Sequence, residues 1–497
     1  MKNKKIFLTL VMSVLCLFVL QSYSIFTGKK KAIIEKSGLE DEVKVKLNLV
    51  APVITEPAVH YHFVGDSITV KGAARGDMEA IELKLDSGEW ISLPAAGSWE
   101  YTFSSVGLGT HHVYARIRTQ DQYSAESSVQ FNTGKVFGGM DNDYTVSGQQ
   151  TADGGYIAVG TTYSFEPEKP SCYFLKVNAS GKKQWQKAIH NHGDDLKGTS
   201  VQQTSDGGYV FTSYNESFWY AYMVKCDSSG NITWTNIYDL GGNVVWISAV
   251  KQASDNGYIL TGELWLSDMF LLKADATGAT QWLRVFGDSS YESGNAIVED
   301  KYNSGFVSAG YSQSYGFNGT EDVFIAKVDT NGNTLWTNVI GSFGNEQAQD
   351  IKQTSDQGYI MAGWTSSYGE GGYDVYLVKC DQNGQVQWQK SFGGPYNDYG
   401  LSVQQTSDGG YIIAGTTRSF GAGNYDVYLI KTDSAGNLSW YRTFGGADDD
   451  NYESTPVFPC SVQQTTDGGY VVIGTGKSFG VNNSYDAYLI KTDANGY

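Results

Sequence analysis

A phrase of seven residues, in its simplest form QTSDGGY, recurs through most of this chain and limits what it can fold into. It reads QTADGGY ending at Tyr156, QTSDGGY at Tyr209, QASDNGY at Tyr258 and a degenerate DKYNSGF at Phe306. It returns as QTSDQGY at Tyr359, QTSDGGY at Tyr411 and QTTDGGY at Tyr470. Successive copies lie 53, 49, 48, 53, 52 and 59 residues apart. A period near 50 marks a supersecondary unit that cannot bury its apolar face alone and must stack on its neighbours.

Within one copy the apolar period is that of strands. SVQQT alternates, DGG turns the chain, and YIIAGTT is a β-branched run. SFGAGNY is a loop, DVYLIKTD alternates again, and DSAGN turns tightly into LSWYRTFGG. Gly, Asp and Asn stand where such turns need positive φ. Four short strands per unit and seven units predict a seven-bladed β-propeller over residues 133–497. A lysine precedes the second turn in every copy (Lys176, Lys225, Lys273, Lys327, Lys379, Lys431 and Lys491). Two residues on comes Asp or Asn, then Gly three further, as in Asp433 and Gly436. The carboxylate can bond the turn amides while Gly takes the left-handed position. Such a turn is too short for an EF-type calcium loop. Trp185, Trp234, Trp282, Trp336, Trp388 and Trp440 open the following strand and are expected between neighbouring blades.

Strings of the form QTSDGGYIIAGTT…YDVYLIKTD..GN..W…FGG resemble the repeats of bacterial and archaeal cell-surface β-propeller proteins. The resemblance covers residues 134–497. It implies the fold and a surface or secreted setting, and it implies no activity. The DxxGxxxW turn is also similar to quinoprotein dehydrogenase blades, without a cofactor constellation beside it. The sialidase Asp-box has shorter spacings.

Gly is abundant (59), aromatics make up 14% and Pro is scarce (8), in keeping with many short strands. Lys+Arg 35 against Asp+Glu 53 leaves a net charge of −18. Phosphate-binding surfaces need clustered cations, so nucleic acid and anionic membrane surfaces are poor partners. Residues 1–26 read as a signal peptide or an N-terminal membrane anchor: MKNKK is basic and IFLTLVMSVLCLFVL uncharged and apolar. Either puts the bulk of the chain outside the cytoplasm, secreted or at the cell surface. Residues 27–47 are a charged linker. Cys226 and Cys380 occupy equivalent places in separated repeats and cannot pair, so the cysteines form no disulfide framework.

Residues 48–132 have another texture. APVITEP, DSITVKGAA, AIELKLDSGEWISLP, GSWEYTFSS, GTHHVYARIRTQD and SAESSVQF alternate, with turns every 8 to 12 residues, as in a β-sandwich. The segment resembles the immunoglobulin-like modules of prokaryotic surface proteins, which act as spacers or adhesive arms. His111 and His112 are adjacent on a strand and point to opposite faces, which argues against a shared metal.

Hairpin lengths sort the propeller's two faces. First-to-second and third-to-fourth connections are tight and uniform, whereas second-to-third and blade-to-blade connections are long and variable. Binding residues concentrate on such loops. On that face a carboxylate recurs (Asp143, Glu292, Glu346, Asp398 and Asp450), either as an acidic ring or as an anchor for each loop. A specific site is expected where the repeat breaks, in the first three blades. From Gly415 to Lys431 is 16 residues, but Ser213 to Lys225 only 12 and Gly262 to Lys273 only 11. The shortened loops are aromatic: Phe218, Trp219 and Tyr220, then Glu263 and Trp265, with Trp246 nearby. HNHGDD adds His190, His192, Asp194 and Asp195. Aromatic faces with carboxylates suit sugar rings. HNHGDD could equally hold a metal, and the aromatics could equally pack blades.

There is no H-E-x-x-H or phosphate loop. The reading is a non-catalytic protein binding a glycan or another surface protein on its loop face, with no cofactor. The alternative is a propeller-borne carbohydrate-active enzyme, a glycoside hydrolase or polysaccharide lyase. Finally, the last copy breaks off at Tyr497 without its fourth strand, while TGKVFGGMDNDY at 133–144 offers that strand ahead of the first copy. Residues 133–139 are expected to pair with the last strand and close the ring.

Overall fold

The computed structural model describes residues 32–34, 45–47, 50–56, 61–64, 67–76, 78–120, 122–165, 170–189, 196–215, 220–239, 245–264, 268–446, 460–478 and 484–497. They form two compact units. One is Met1–Tyr61, Ser67–Ser105 and His111–Phe131; the other is His62–Asp66, Val106–Thr110 and Asn132–Tyr497. Two short stretches inside the expected 48–132 region therefore group with the repeats. Nearly all regular structure is antiparallel strand, with a single 3-10 turn at Phe317–Gly319. Among the described residues no helix is long and apolar enough to cross a membrane.

In the first unit Ser67–Ala73 lies between Val53–Glu56 and Ser98–Ser104. Ala80–Leu85 pairs with Ile91–Pro94 on one side and, from Ala80↔Arg118 to Leu85↔Val113, with Gly109–Arg118 on the other. Inward residues of these strands (Val70, Ile81, Leu83, Val113 and Ile117) are fully buried. His111 Nδ1 meets Asp86 at 2.8 Å, while the His112 ring stacks near Tyr114. Within the region expected as linker, Ala32–Ile34 pairs with Val45–Leu47.

The second unit is a β-propeller built of repeated four-stranded antiparallel sheets. Six run in sequence order, beginning with Asp143–Gln150, Tyr156–Thr162, Ser171–Val177 and Lys183–Ile189. The last repeat supplies Ser461–Gln464, Tyr470–Gly476 and Asp486–Thr492, and its third strand pairs with the chain ahead of the first repeat. The register there is Gly134↔Ile490, Lys135↔Leu489, Val136↔Tyr488 and Phe137↔Ala487. It is the register of Ile430↔Tyr441 in the sixth repeat, so Thr133 stands opposite Lys491 where Trp440 stands opposite Lys431. First strands of successive repeats touch all the way round, including Asp143–Gln150 against Ser461–Gln464. They line the axis, second and third strands are almost wholly buried, and fourth strands are exposed at the rim.

The recurring residues are the joints of this ring. Each first strand ends in Gln-Gln or an equivalent pair. Gln202 Oε1 accepts the N–H of Gln252 in the next repeat, and Gln252 Oε1 accepts the N–H of Ser205 in the preceding turn. Gln404 and Gln464 do the same at the seam between the sixth and the last repeat. The buried lysines reach into the DGG turn: Lys431 Nζ donates to Asp408 Oδ2 at 2.8 Å and to Thr432 O at 2.9 Å. Gly410 in that turn has no room for a Cβ against Thr432 O. In the degenerate fourth repeat the acid comes from Asp300, and Lys327 still reaches it. Asp433 Oδ1 accepts the N–H groups of Ala435 and Asn437 around Gly436, whose φ is 75°.

Each fourth-strand Trp lies against the next repeat, as its spacing predicts. Trp388 packs on Gly436 and meets Tyr411 edge-on, at 5.8 Å between ring centroids. Trp185, Trp234 and Trp336 repeat this contact on Gly230, Gly278 and Gly384. The seam before the first repeat has Thr133 instead of Trp, and Leu108 fills the place. Leu108 packs on Gly181 and the Tyr156 cluster, its N–H donating to Ser180 O at 3.2 Å. Lys135 Nζ, donating to Val106 O at 3.0 Å, and Thr133 hold this plug. Cys172, Cys226, Cys380 and Cys460 are buried free thiols.

Candidate functional site

The between-repeat loops are pinned by the recurring acids. Asp143, Glu292, Glu346 and Asp398 are fully buried at the start of their first strands. Asp398 Oδ2 accepts the N–H of Gly394 at 2.8 Å and the hydroxyl of Ser419 at 2.7 Å. Glu346 accepts the N–H of Ser342 (2.8 Å), the hydroxyl of Thr365 (2.7 Å) and the N–H of Ser367 (3.2 Å). Each acid thus ties one between-repeat loop to the following second-to-third loop. Asp143 and Glu292 have equivalent donors, and these four are anchors; Asp450 lies outside the described residues.

A second carboxyl, at the start of the preceding repeat's third strand, stands beside each anchor. The pairs are Asp486 with Asp143, Asp268 with Glu292, Asp322 with Glu346 and Asp374 with Asp398. In three of them one glycine (Gly138, Gly287 or Gly393) has no room for a Cβ because both carboxyls occupy that space. Asp322 Oδ1 and Asp374 Oδ1 are buried without a hydrogen-bond partner. Burial, and then the neighbouring Glu346 carboxylate, push the Asp322 carboxyl up to about 6. Burial and then Asp398 do the same to Asp374, also to about 6. At the two seams where the repeat breaks, Leu196 and Val245 replace the anchors, Ser171 and Tyr220 replace their partners, and His190 and Asp239 stand where the glycine belongs.

At that break the loop end opens onto aromatic side chains. Trp246, second in its first strand, pairs in register with Glu263. It stacks on Tyr214 of the preceding repeat, with centroids 4.0 Å apart and planes at 27°, and is 41% exposed. Tyr220 is 39% exposed and its carbonyl accepts the N–H of Asn215, next to Tyr214. Burial holds the Glu263 carboxyl above its ordinary range. Tyr311 lies within the fields of Glu263 and Glu321, and Glu321 accepts Gln347 Nε2 at 2.6 Å.

Of the residues singled out by sequence, Trp246 and Glu263 stand opposite each other on paired strands, and Tyr220 is exposed at the end of the second repeat's shortened loop. Trp219, Trp265, His190, His192, Asp194 and Asp195 lie outside the described residues. Among the described residues no group of three or more His, Cys, Asp or Glu is placed to hold a metal. The loop end also carries aromatics that sequence reasoning passed over. Phe343 is 77% exposed and meets Phe317 edge-on at 4.8 Å, Tyr315 OH donates to Gly287 O at 3.2 Å, and Tyr291 is exposed beside them. Their signal is an aromatic in loops otherwise made of Gly, Ser and Asn.

The class defined by this architecture is an all-β propeller of four-stranded repeats with variable loops at one end. No family model matches the sequence, and no curated protein matches it. Solved structures with a similar fold include Sqt1 from Chaetomium thermophilum (11% identity, TM-score 0.41, covering 68% of this chain and 80% of that one). Another is the β-propeller domain of the Trilobed protease from Pyrococcus furiosus, at 10% identity and TM-score 0.40, covering 67% and 89%. A third is a quinoprotein alcohol dehydrogenase-like protein from Bacteroides thetaiotaomicron, at 9% identity and TM-score 0.33, covering 89% and 98%.

Proposed function

We propose that the chain is a non-catalytic secreted or cell-surface binding protein: a seven-bladed propeller, closed by residues 134–137, carried on an immunoglobulin-like β-sandwich. Residues 1–26 act as its signal peptide or anchor. Its loop end recognises a glycan, or a surface protein, at the second and third repeats. The observation that carries this reading is Trp246, a large aromatic face left 41% exposed on Tyr214 with Glu263 opposite. A sugar can lay its C–H face on such a ring and give hydroxyl protons to the carboxylate. A glycan array probed with the full chain tests this: retention of defined oligosaccharides without cleavage supports the reading, and an empty array directs the search to protein ligands.

The alternative, a carbohydrate-active enzyme, is favoured by one observation. Glu263 is held toward its protonated form, and Tyr311 lies within the fields of both Glu263 and Glu321. An acid and a base across a sugar is the arrangement of glycoside hydrolysis. Release of reducing ends from a polysaccharide panel, lost in Glu263→Gln, would select it.

A further inference from the structure

Three loops around the fourth repeat are stitched into one surface: residues 287–292 before it, 313–322 within it and 341–346 after it. The N–H of Gln313 donates to Tyr291 O at 2.8 Å, the N–H of Ser290 to Ser314 Oγ at 3.0 Å, and the hydroxyl of Tyr315 to Gly287 O at 3.2 Å. On the other side the N–H of Glu321 donates to Asn345 Oδ1 at 3.2 Å, and the N–H of Asn345 to Ser366 Oγ at 2.8 Å. Within the middle loop the Phe317 N–H donates to Asp322 Oδ2 and the Thr320 hydroxyl to Phe317 O at 2.6 Å, which closes the 3-10 turn. The backbone of all three loops is therefore held by the fold itself.

What this surface presents to solvent is aromatic. Phe343 is 77% exposed, Phe317 50%, Tyr291 56% and Tyr315 46%. Phe343 meets Phe317 edge-on at 4.8 Å, and Tyr315 stacks on the buried Phe324 with centroids 5.6 Å apart. Exposed apolar side chains gathered in one place mark an interaction surface, where single scattered ones do not. The charge among them has one sign. Residues 287–292, 313–322 and 341–346 include five carboxylic acids and no lysine, arginine or histidine. Asp288 is exposed and Glu321 half-buried, while Glu292, Asp322 and Glu346 are buried. Burial, and then Glu292, Asp288 and Asp268, push the Tyr315 phenol up, so the ring stands in a negative field. Phenylalanine has no group to bond a sugar hydroxyl, but its ring face attracts a cation. Aromatic faces among acids, with no basic group beside them, repel anions and fit an ammonium or a guanidinium. The planar guanidinium fits best, since it stacks on a ring and forks onto a carboxylate at once.

We propose that this surface docks a protein partner through an arginine-bearing segment, whose guanidinium groups lie on Phe317 and Phe343 with Asp288 and Glu321 as counter-charges. It is a second surface and does not rest on the reading of Trp246. The probes are fluorescein-labelled decapeptides of alternating Arg-Gly, Lys-Gly and Glu-Gly, titrated with the full chain by fluorescence anisotropy at about 0.15 M salt. The Arg-Gly peptide should bind saturably and more tightly than Lys-Gly, and Glu-Gly should not bind. Phe317→Ala combined with Phe343→Ala should weaken the Arg-Gly complex by about five- to thirty-fold, and Phe343→Trp should retain it. Both rings are half-exposed or more, so the unfolding midpoint should stay near that of wild type. Equal affinity for Arg-Gly in the double variant would mean attraction to the net charge of −18 alone and would overturn the site. No saturable binding of Arg-Gly, or equal binding of Arg-Gly and Lys-Gly, would overturn it too. Should the double variant lose its fold, Phe343→Ala alone decides: a loss of about two- to five-fold supports the surface, and an unchanged affinity overturns it.

Discussion

Replacing Asp322 by Asn should make the propeller more stable, and only above the pH at which the carboxyl pair would ionise. Asp322 is buried beside Glu346, and Glu346 is the better solvated by hydrogen bonds, with three donors from Ser342, Thr365 and Ser367. The proton therefore stays on Asp322, whose folded-state value rises from 3.8 to about 6. Below pH 4 the carboxyl is protonated in both the folded and the unfolded chain, and there is no penalty. Between pH 4 and pH 6 the unfolded chain gives up the proton while the folded one keeps it, so stability falls as pH rises. Each unit of difference is worth about 1.4 kcal/mol, which makes the loss about 3 kcal/mol once the folded pair has ionised. Asn keeps the acceptor for the Phe317 N–H and supplies a permanent N–H toward Glu346. Urea midpoints at pH 4.5 and pH 7.5 read this directly: the variant should gain little at the lower pH and up to about 3 kcal/mol at the higher one. Asp374→Asn should behave alike. A pH-independent offset, or a loss at pH 7.5, would refute the shared-proton account.

The buried lysines predict an asymmetry. Lys431 is buried whereas Asp408 is mostly exposed, so Asp408→Ala, which strands the ammonium, should cost about 3 kcal/mol and more than Lys431→Met does in chemical denaturation. Asp153, Asp206 and Asp408 are held down at about 2, chiefly by hydrogen bonds and their lysines acting against burial. Their contribution is present above pH 4 and is lost as pH falls toward 2, seen as a falling thermal midpoint in that window. Leu108→Ala should cost about 1–2 kcal/mol in urea titrations, because it empties the seam that lacks a Trp. Deleting residues 133–139, or ending the chain before Tyr485, removes one side of the Gly134–Phe137 pairing and should sharply lower the thermal midpoint.

Much of the ring was legible because its residues repeat. Strand order, the Asp-Gly turns and the Trp at each seam follow from spacing, since every blade meets the same backbone requirement. The register of residues 134–137 was legible for the same reason: Phe137 and Gly138 match Phe444 and Gly445. Partnerships across the repeat were harder. The lysine and the DGG aspartate stand about twenty residues apart, and their link shows only where the phrase degenerates and Asp300 moves yet still reaches Lys327. The carboxyl pairs carried a signal in the joint loss of glycine and both acids at two seams. Leu108 had none, because an ordinary leucine from outside the repeats takes the missing Trp's place. Trp246 and Glu263 were found by the shortened loops, whereas Tyr214 and Tyr311 sit at strand positions held elsewhere by Thr and Trp, where only the fold shows what they face.

The most direct test is the affinity of the full chain for an oligosaccharide retained on the array, measured by isothermal titration for wild type and Trp246→Ala. Loss of the exposed indole should weaken binding at least about ten-fold, or 1.4 kcal/mol, with the unfolding midpoint within a degree of wild type. Unchanged affinity in the folded variant would contradict a ligand site at the second and third repeats.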